Sequence, residues 1–412
     1  MSVDNAPPGE KCSDLRAVCN IVMAVVGLGI LQLPGTVECY GLAGFACWVT
    51  VVALSQFFMT NLFYKAMILT PDGKGQYPNY VSVGEAAFGR AGKIAAAISV
   101  HSSLIGICAC ILILWRDTMN RMLPFPNLEE DHSKWIWAGI GVLLAQPFIW
   151  LRNMADVGLY SSMGVVAVFA LAALAVVAGI VKMAKGEGNE NVLYFNETSS
   201  AKDIGFRITL LVFSFGSVPV IPSIHRDMKN PQNFSKVLAV AYMVIFAISV
   251  TVAMIGYLGF GAKDLMVLLV PQSPKPIDGV GYAASVLALF IVLSHIVVLF
   301  SPVADASQEV MEHFLGKSEI IRKVGRGLPS LILLALGILV ETLELMVLLV
   351  ASVSVMFMCM FFPAIFYHRL LSLRGLDVKG KAGTWAISTV IFGLSAWGMV
   401  CGSWSAIEML AK

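Results

Sequence analysis

Two stretches of this sequence place glycine and proline where an apolar run should continue. One is NIVMAVVGLGILQLPG, Asn20 to Gly35; the other is LLVFSFGSVPVIPSIHRDMKNP, with Gly216, Pro219 and Pro222 inside it. In hydrocarbon, a backbone group without a partner is costly. Such interruptions persist only where protein or a wet cavity surrounds them. The chemistry they offer is electrostatic, not covalent. N–H groups opening the helix after a break form an anion site, and carbonyls closing the helix before it suit an amine or a cation. An amino acid zwitterion carries both groups about one residue apart. A broken helix can hold it without placing a full charge in the membrane.

Other side chains that could do chemistry are few. His101 and His295 lie inside apolar runs, and an intramembrane ionisable group that titrates near neutral pH is a candidate for moving ions. A satisfied core histidine is the plainer reading of each. Arg116 and Asp117 mark the end of a third apolar run, and Glu38 follows the first break at the mouth of a vestibule or at the interface. Asp227 and Lys229 fix the turn after the second break, while Ser352 and Ser354 face either a path or a neighbouring helix. The eight cysteines are scattered with no zinc spacing. They read as small buried hydrophobes, a bridge between Cys39 and Cys401 being the one pairing that is conceivable. There is no G-x-S-x-G, no H-E-x-x-H and no phosphate-cradling Gly-Lys loop. No enzyme, no metal and no cofactor is expected.

The elements that must position these residues are membrane helices. Of the 412 residues 58% are hydrophobic and 13% charged, against about 25% charged in a soluble domain. A net charge of +2 gives no reason to expect nucleic acid. With roughly 20 apolar residues per crossing, eleven spans are expected near 16–38, 42–69, 92–122, 135–152, 157–184, 204–226, 233–260, 280–304, 328–343, 345–371 and 383–408. The tightest turn falls at Glu341–Glu344. Residues 1–15 read as a short polar tail and 16–408 as one transmembrane domain, with the first span retained and not cleaved as a signal. The larger share of the 28 Lys and Arg lies inside if the N-terminus is cytoplasmic, which leaves the C-terminus extracellular or lumenal. That orientation puts the sequon at Asn196 outside, available for glycosylation. Tryptophans 135, 137, 150, 385 and 404 fall near span ends as interfacial anchors.

The breaks are paired. They fall in the first and sixth spans, Gly27 followed by Pro34 and Gly216 followed by Pro222. If residues 16–184 and 204–371 are two halves of five spans each, the halves are inverted and 383–408 is an extra helix. Matched interrupted segments of this kind point to a substrate site between inverted repeats.

These segments resemble the amino acid/auxin permease family. The Asn followed by G-x-G-I-L-x-L-P matches its first helix, and FSFGSVPVIPSIHRDMKNPQNF its sixth. SPVADASQEVME and ASVSVMFMCMFFPAIFYHRLL are similar to its eighth and tenth. The branch is similar to vesicular and vacuolar amino acid transporters. The resemblance implies an all-α, LeuT-like 5+5 inverted repeat and secondary active transport of amino acids coupled to H⁺ or Na⁺. It places the substrate on the backbone at Val26, Gly27, Leu28 and Gly29, facing Phe213, Ser214, Phe215, Gly216 and Ser217. Asn20 and Ser294 match the ion region. Where GSV stands here, many relatives keep His or another polar residue, so the coupling ion is open. With no carboxylate in either break, a neutral substrate is expected. A monomer in a plasma, vacuolar or vesicular membrane is expected too. The rival is a non-transporting amino acid sensor on the same fold.

Overall fold

The computed structural model describes residues 12–26, 28–71, 78–150, 154–261, 279–375 and 382–411. Among them, helices account for every extended element, and one isolated bridge joins Cys12 to Met228. Among the described residues eight helices are long and apolar enough to cross a membrane. Three expected spans fall short: the first and ninth because each is divided, and the fourth because its 20-residue helix, Glu130–Ile149, opens on a polar, acidic turn.

Helix α1, Asp14–Val25, starts where the Ser13 hydroxyl accepts from the Arg16 N–H, with Asp14 in its first turn. It ends at Val26, which has left helical geometry. A 3₁₀ turn over Leu28–Gln32 leads into α2, Leu33–Leu69, with Pro34 in the first turn where its missing N–H costs nothing. Spans one and two are separated inside α2 at Gly41, whose φ of 71° suits glycine. A Cβ there would also lie 2.6 Å from the Tyr194 carbonyl. The loop that Gly41 touches pairs with this corner through Leu42 N to Leu193 O at 2.9 Å and Ala43 N to Tyr194 O at 3.0 Å.

Helix α3 runs Tyr80–Met122, longer than the expected 92–122. Asn79 and Ser82 form a capping box, and Phe88 and Gly89 leave helical geometry, so a short leading piece precedes the span. Then follow α4, Glu130–Ile149, and α5, Met154–Ala184. The sixth span is α6, Ala201–Phe215, an extended Gly216, a 3₁₀ turn over Val218–Val220 and α7, Ile221–Asp227. Next come α8, Phe234–Phe260, and α9, Gly279–Leu315. The ninth span is split into α10, Glu319–Gly327, and α11, Pro329–Leu339. The tenth opens as α12, Leu343–Leu349, widens into π turns over Val350–Val355 and Phe357–Phe361, and closes as α13, Phe362–Leu373. Helix α14 is Ala382–Leu410.

The helices sort into two groups. Helices α1, α2, α6 and α8 pack on one another; α3, α4, α9, α10 and α11 form a second group, with α5 between α8 and α9. Lipid tails supply no hydrophobic drive between helices, so close approach and polar ties hold them. Helices α5 and α8 cross glycine on glycine, and a Cβ on Gly259 would lie 2.6 Å from Gly179 Cα. The second group is tied by arginines at helix ends. Arg116 of α3 donates to the Gly337 and Glu341 carbonyls at the end of α11, and Arg326 of α10 donates to the Ile149 carbonyl ending α4 at 2.7 Å while pairing with Asp305 of α9. These carbonyls are the orphans every helix C-terminus leaves.

Candidate functional site

The two breaks touch. Gly29, in the 3₁₀ turn of span one, is seated so closely on span six that a Cβ would lie 2.7 Å from Ser214 Oγ and 3.1 Å from Ser214 Cα. Across the second break, a Cβ on Gly216 would lie 3.3 Å from Cys359 Sγ in the π-turned tenth span. Spans one, six and ten therefore converge at one depth. Wide π turns are frequent at functional sites.

Breaking α6 leaves its last carbonyls without helical partners, and side chains from spans two and seven take them. Gln56 Nε2 donates to Val212 O at 3.0 Å, and Tyr242 OH donates to Phe215 O at 3.2 Å. Tyr242 OH also lies 2.8 Å from Ser217 Oγ and 3.0 Å from Thr60 Oγ1. Ser214 Oγ donates back to Leu210 O at 2.9 Å. Gln56, Thr60, Ser214, Ser217 and Tyr242 are all buried. The break is thus held open by protein groups inside the first helix group.

Of the residues expected at the substrate, Val26, Gly29, Ser214, Phe215 and Ser217 are buried and Phe213 and Gly216 half-buried around this junction. Leu28 opens the 3₁₀ turn, and Gly27 lies outside the described residues. Asn20 is half-buried on α1. Ser294 Oγ donates to Ile291 O of its own helix at 3.0 Å, and His295 Nδ1 lies 2.9 Å from the same carbonyl. His101 makes its hydrogen bond to Ala97 O, within α3, at 2.7 Å. Asn196 sits in the loop over the Gly41 corner, Nδ2 donating to Glu38 O at 3.0 Å and Oδ1 accepting from Thr198 N at 3.0 Å. Glu38 itself is exposed beside it.

Several residues are placed differently from the plain sequence reading. Arg116 is not a marker of a span end but a buried tie between α3 and α11. Cys39 and Cys401 are free thiols: Cys39 Sγ donates to Ser199 Oγ, and Cys401 packs on Gly205. Ser354 is bonded by Ser99 and Ser102 of α3, and Ser352 packs beside Gly402 of α14, so both join helices. Asp227 and Lys229 do hold a turn, through their backbones: Cys12 N donates to Asp227 O at 2.7 Å and Lys229 N to Cys12 O at 2.9 Å. Gln56, Thr60 and Tyr242 escaped the sequence reading. Gln56 and Thr60 are four apart in an apolar span, hence on one helix face, and that spacing was the available signal.

Residues 10–408 match the family described as Transmembrane amino acid transporter protein. The chain is 25% identical to amino acid transporter AVT1D of Arabidopsis thaliana over 427 residues, covering 100% of this chain and 73% of that one. It is also 25% identical to amino acid transporter AVT1E of the same plant over 421 residues, covering 97% and 74%. Its fold is similar to that of Mhp1, a nucleobase-cation-symport-1 family transporter solved in a closed conformation with bromovinylhydantoin bound, with a TM-score of 0.56 at 14% identity over 100% of this chain and 95% of that one. The fold is LeuT-like, with the discontinuous first and sixth spans that the inverted halves require. With a family match running nearly end to end around two facing helix breaks, the chain is a multi-pass membrane protein belonging to the transmembrane amino acid transporter family.

Proposed function

We propose that this protein is a secondary active transporter of neutral amino acids that works by alternating access. The observation carrying the reading is the seat of Gly29 against Ser214, which sets one break on the other. The carbonyl end of α1 takes the substrate ammonium, and N–H groups at the start of the following helix take its carboxylate. Neither break contains a carboxylate or a basic side chain, which favours a neutral side chain. The α1, α2, α6–α8 group rocks against the α3, α4, α9–α11 group. Residues 16–184 and 204–371 are its two repeats, residues 1–15 a tail and 383–408 an added helix. The N-terminus is cytoplasmic, the C-terminus lies across a plasma, vacuolar or vesicular membrane, Asn196 carries a glycan, and the protein works as a monomer.

Reconstituted in liposomes, the protein accumulates labelled neutral amino acids when an H⁺ or Na⁺ gradient is imposed and exchanges them without one. Saturable binding with no flux under any gradient would overturn transport and leave the sensor reading.

The Tyr242 hydroxyl gives a second check. Tyr242→Phe leaves the Phe215 carbonyl unpaired in an apolar interior, at a cost of about 1–3 kcal/mol. The half-saturation concentration for exchange rises about tenfold for 1.4 kcal/mol, with membrane yield unchanged. Thr60→Val, which spares the bond to Phe215 O, has the smaller effect. Equal kinetics for Tyr242→Phe and the parent protein would show that this carbonyl is not held for the substrate.

A further inference from the structure

The turn joining the two halves of span one ends in an amide with nothing to bond. Gln32 closes the 3₁₀ stretch Leu28–Gln32 and precedes the first turn of α2. It is 5% exposed. Its side chain caps no helix N–H and makes no hydrogen bond among the described residues. In a 3₁₀ turn residues three apart eclipse one another, so Gln32 shares a face with Gly29, the glycine seated on Ser214. Thr36 and Tyr40 follow at four-residue steps and continue that face. Thr36 is buried and its hydroxyl has no partner, while Tyr40 OH donates to Ile204 O of α6 at 2.9 Å. Contacts with α6 at both ends, Ser214 and then Ile204, turn the face carrying Gln32 and Thr36 toward span six.

Those two contacts also set the register, with span one and α6 antiparallel. Gln32 lies about 6 Å beyond Gly29, level with residues 210–212 of α6. There Gln56 Nε2 donates to Val212 O at 3.0 Å, and Gln56 Oε1 is buried with no partner. The Gln32 amide, the Thr36 hydroxyl and Gln56 Oε1 are thus left unpaired along one stretch between spans one, two and six. Native interiors pair nearly all such groups, because an unmade hydrogen bond there is expensive. What the stretch lacks is a polar occupant.

We propose that Gln32 selects the substrate by its side chain and favours neutral amino acids that end in an amide. A backbone seat at the breaks holds the ammonium and carboxylate that every amino acid shares, and so cannot discriminate. One 3₁₀ turn further on, about 6 Å, is the reach of a glutamine or asparagine side chain. A primary amide carries two donors and an acceptor oxygen, so two amides pair N–H to oxygen in both directions. A thioether or methyl-ended chain of the same length leaves Gln32 unpaired. Sites that hydrogen-bond a substrate group reject the analogue lacking it far better than apolar pockets reject one extra methylene. Residues 28–37 hold no charged side chain, so an acidic or basic substrate finds no counter-ion on this face.

This proposal rests on the transport reading, and the test keeps the two apart by measuring binding and exchange separately. The probes are glutamine and methionine, matched in length and differing in the amide. In liposomes holding the parent protein, glutamine competes for exchange at about a tenfold lower concentration than methionine. In Gln32→Met the half-saturation concentration for glutamine rises about tenfold and that for methionine does not. Gln32→Asn draws the amide back by one methylene and shifts the preference from asparagine toward glutamine. It decides the matter if Gln32→Met does not fold. Equal competition by glutamine and methionine in the parent protein overturns the proposal and spares transport. So do an unchanged glutamine value in Gln32→Met, an unchanged asparagine-to-glutamine ratio in Gln32→Asn, and a loss that falls equally on glutamine and methionine, which makes Gln32 a holder of the shared carboxylate. The shift of the unfolding midpoint by each probe reports binding without flux. Preferential stabilisation by glutamine with no exchange overturns transport and spares the proposal, and absence of both binding and exchange overturns both.

Discussion

Gly29→Val stops amino acid exchange, while the protein still reaches the membrane and stays folded. The cause is the distance between the two breaks. A Cβ at Gly29 meets Ser214 Oγ at 2.7 Å, Ser214 Cα at 3.1 Å and Ser214 Cβ at 3.2 Å. The hydroxyl is held by its bond to Leu210 O and would have to surrender it to swing aside. The Cα is helix backbone and cannot swing at all. Overpacking of this kind costs about 1–3 kcal/mol, and the strain falls on the two segments proposed to hold the substrate. Gly29→Ala sits at the lower end, and its exchange falls about tenfold for 1.4 kcal/mol. Because the clash involves one partner, Ser214→Gly in the Gly29→Ala background removes the two side-chain contacts and restores part of the loss. Exchange by Gly29→Val equal to that of the parent protein would show that the contact does not border the substrate.

Arg116→Ala has its largest effect on stability, not on transport. Arg116 is 2% exposed. Its guanidinium reaches Gly337 O, Glu341 O at 2.5 Å and Asp117 Oδ1 at 3.1 Å. Three acceptors are served by one planar fork, which a lysine ammonium cannot copy. Deleting it leaves the Asp117 carboxylate and two helix-end carbonyls unpaired in a low-dielectric interior. Removing one partner of a buried pair costs about 3–5 kcal/mol. The thermal unfolding midpoint in nanodiscs falls sharply for Arg116→Ala and less for Arg116→Lys. Exchange per folded molecule at low temperature is unchanged, since Arg116 belongs to the second helix group, away from both breaks. A midpoint equal to that of the parent protein would show that the α11 end is satisfied without this residue.

The two predictions separate because the two helix groups are held by different chemistry. Around the breaks, neutral donors from Gln56 and Tyr242 replace the bonds the helix gave up. Across the second group, Arg116 and Arg326 close the ends of α11 and α4 with charge-assisted bonds. The ties named here each stay within one group, as the proposed rocking of one group against the other requires.

Helix number, span placement and the two interruptions could all be read from residues alone. Hydrophobic length and Gly/Pro interruptions are local properties that the bilayer enforces segment by segment. Gly27 and Pro34 in one run, and Gly216 with Pro222 in another, announce breaks wherever the helices end up. The leading piece of α3 and the division of span nine at Leu328–Pro329 were less legible. Each depends on how a polar or proline-bearing end settles against its neighbours. What only the tertiary structure decided is partnership. Nothing in the one-dimensional pattern says that Gly29 rests on Ser214, that Tyr242 serves a carbonyl of another span, or that Arg116 closes a helix more than two hundred residues away. In lipid a broken backbone must find its hydrogen bonds inside the protein, and only the packing of distant helices determines which side chains provide them.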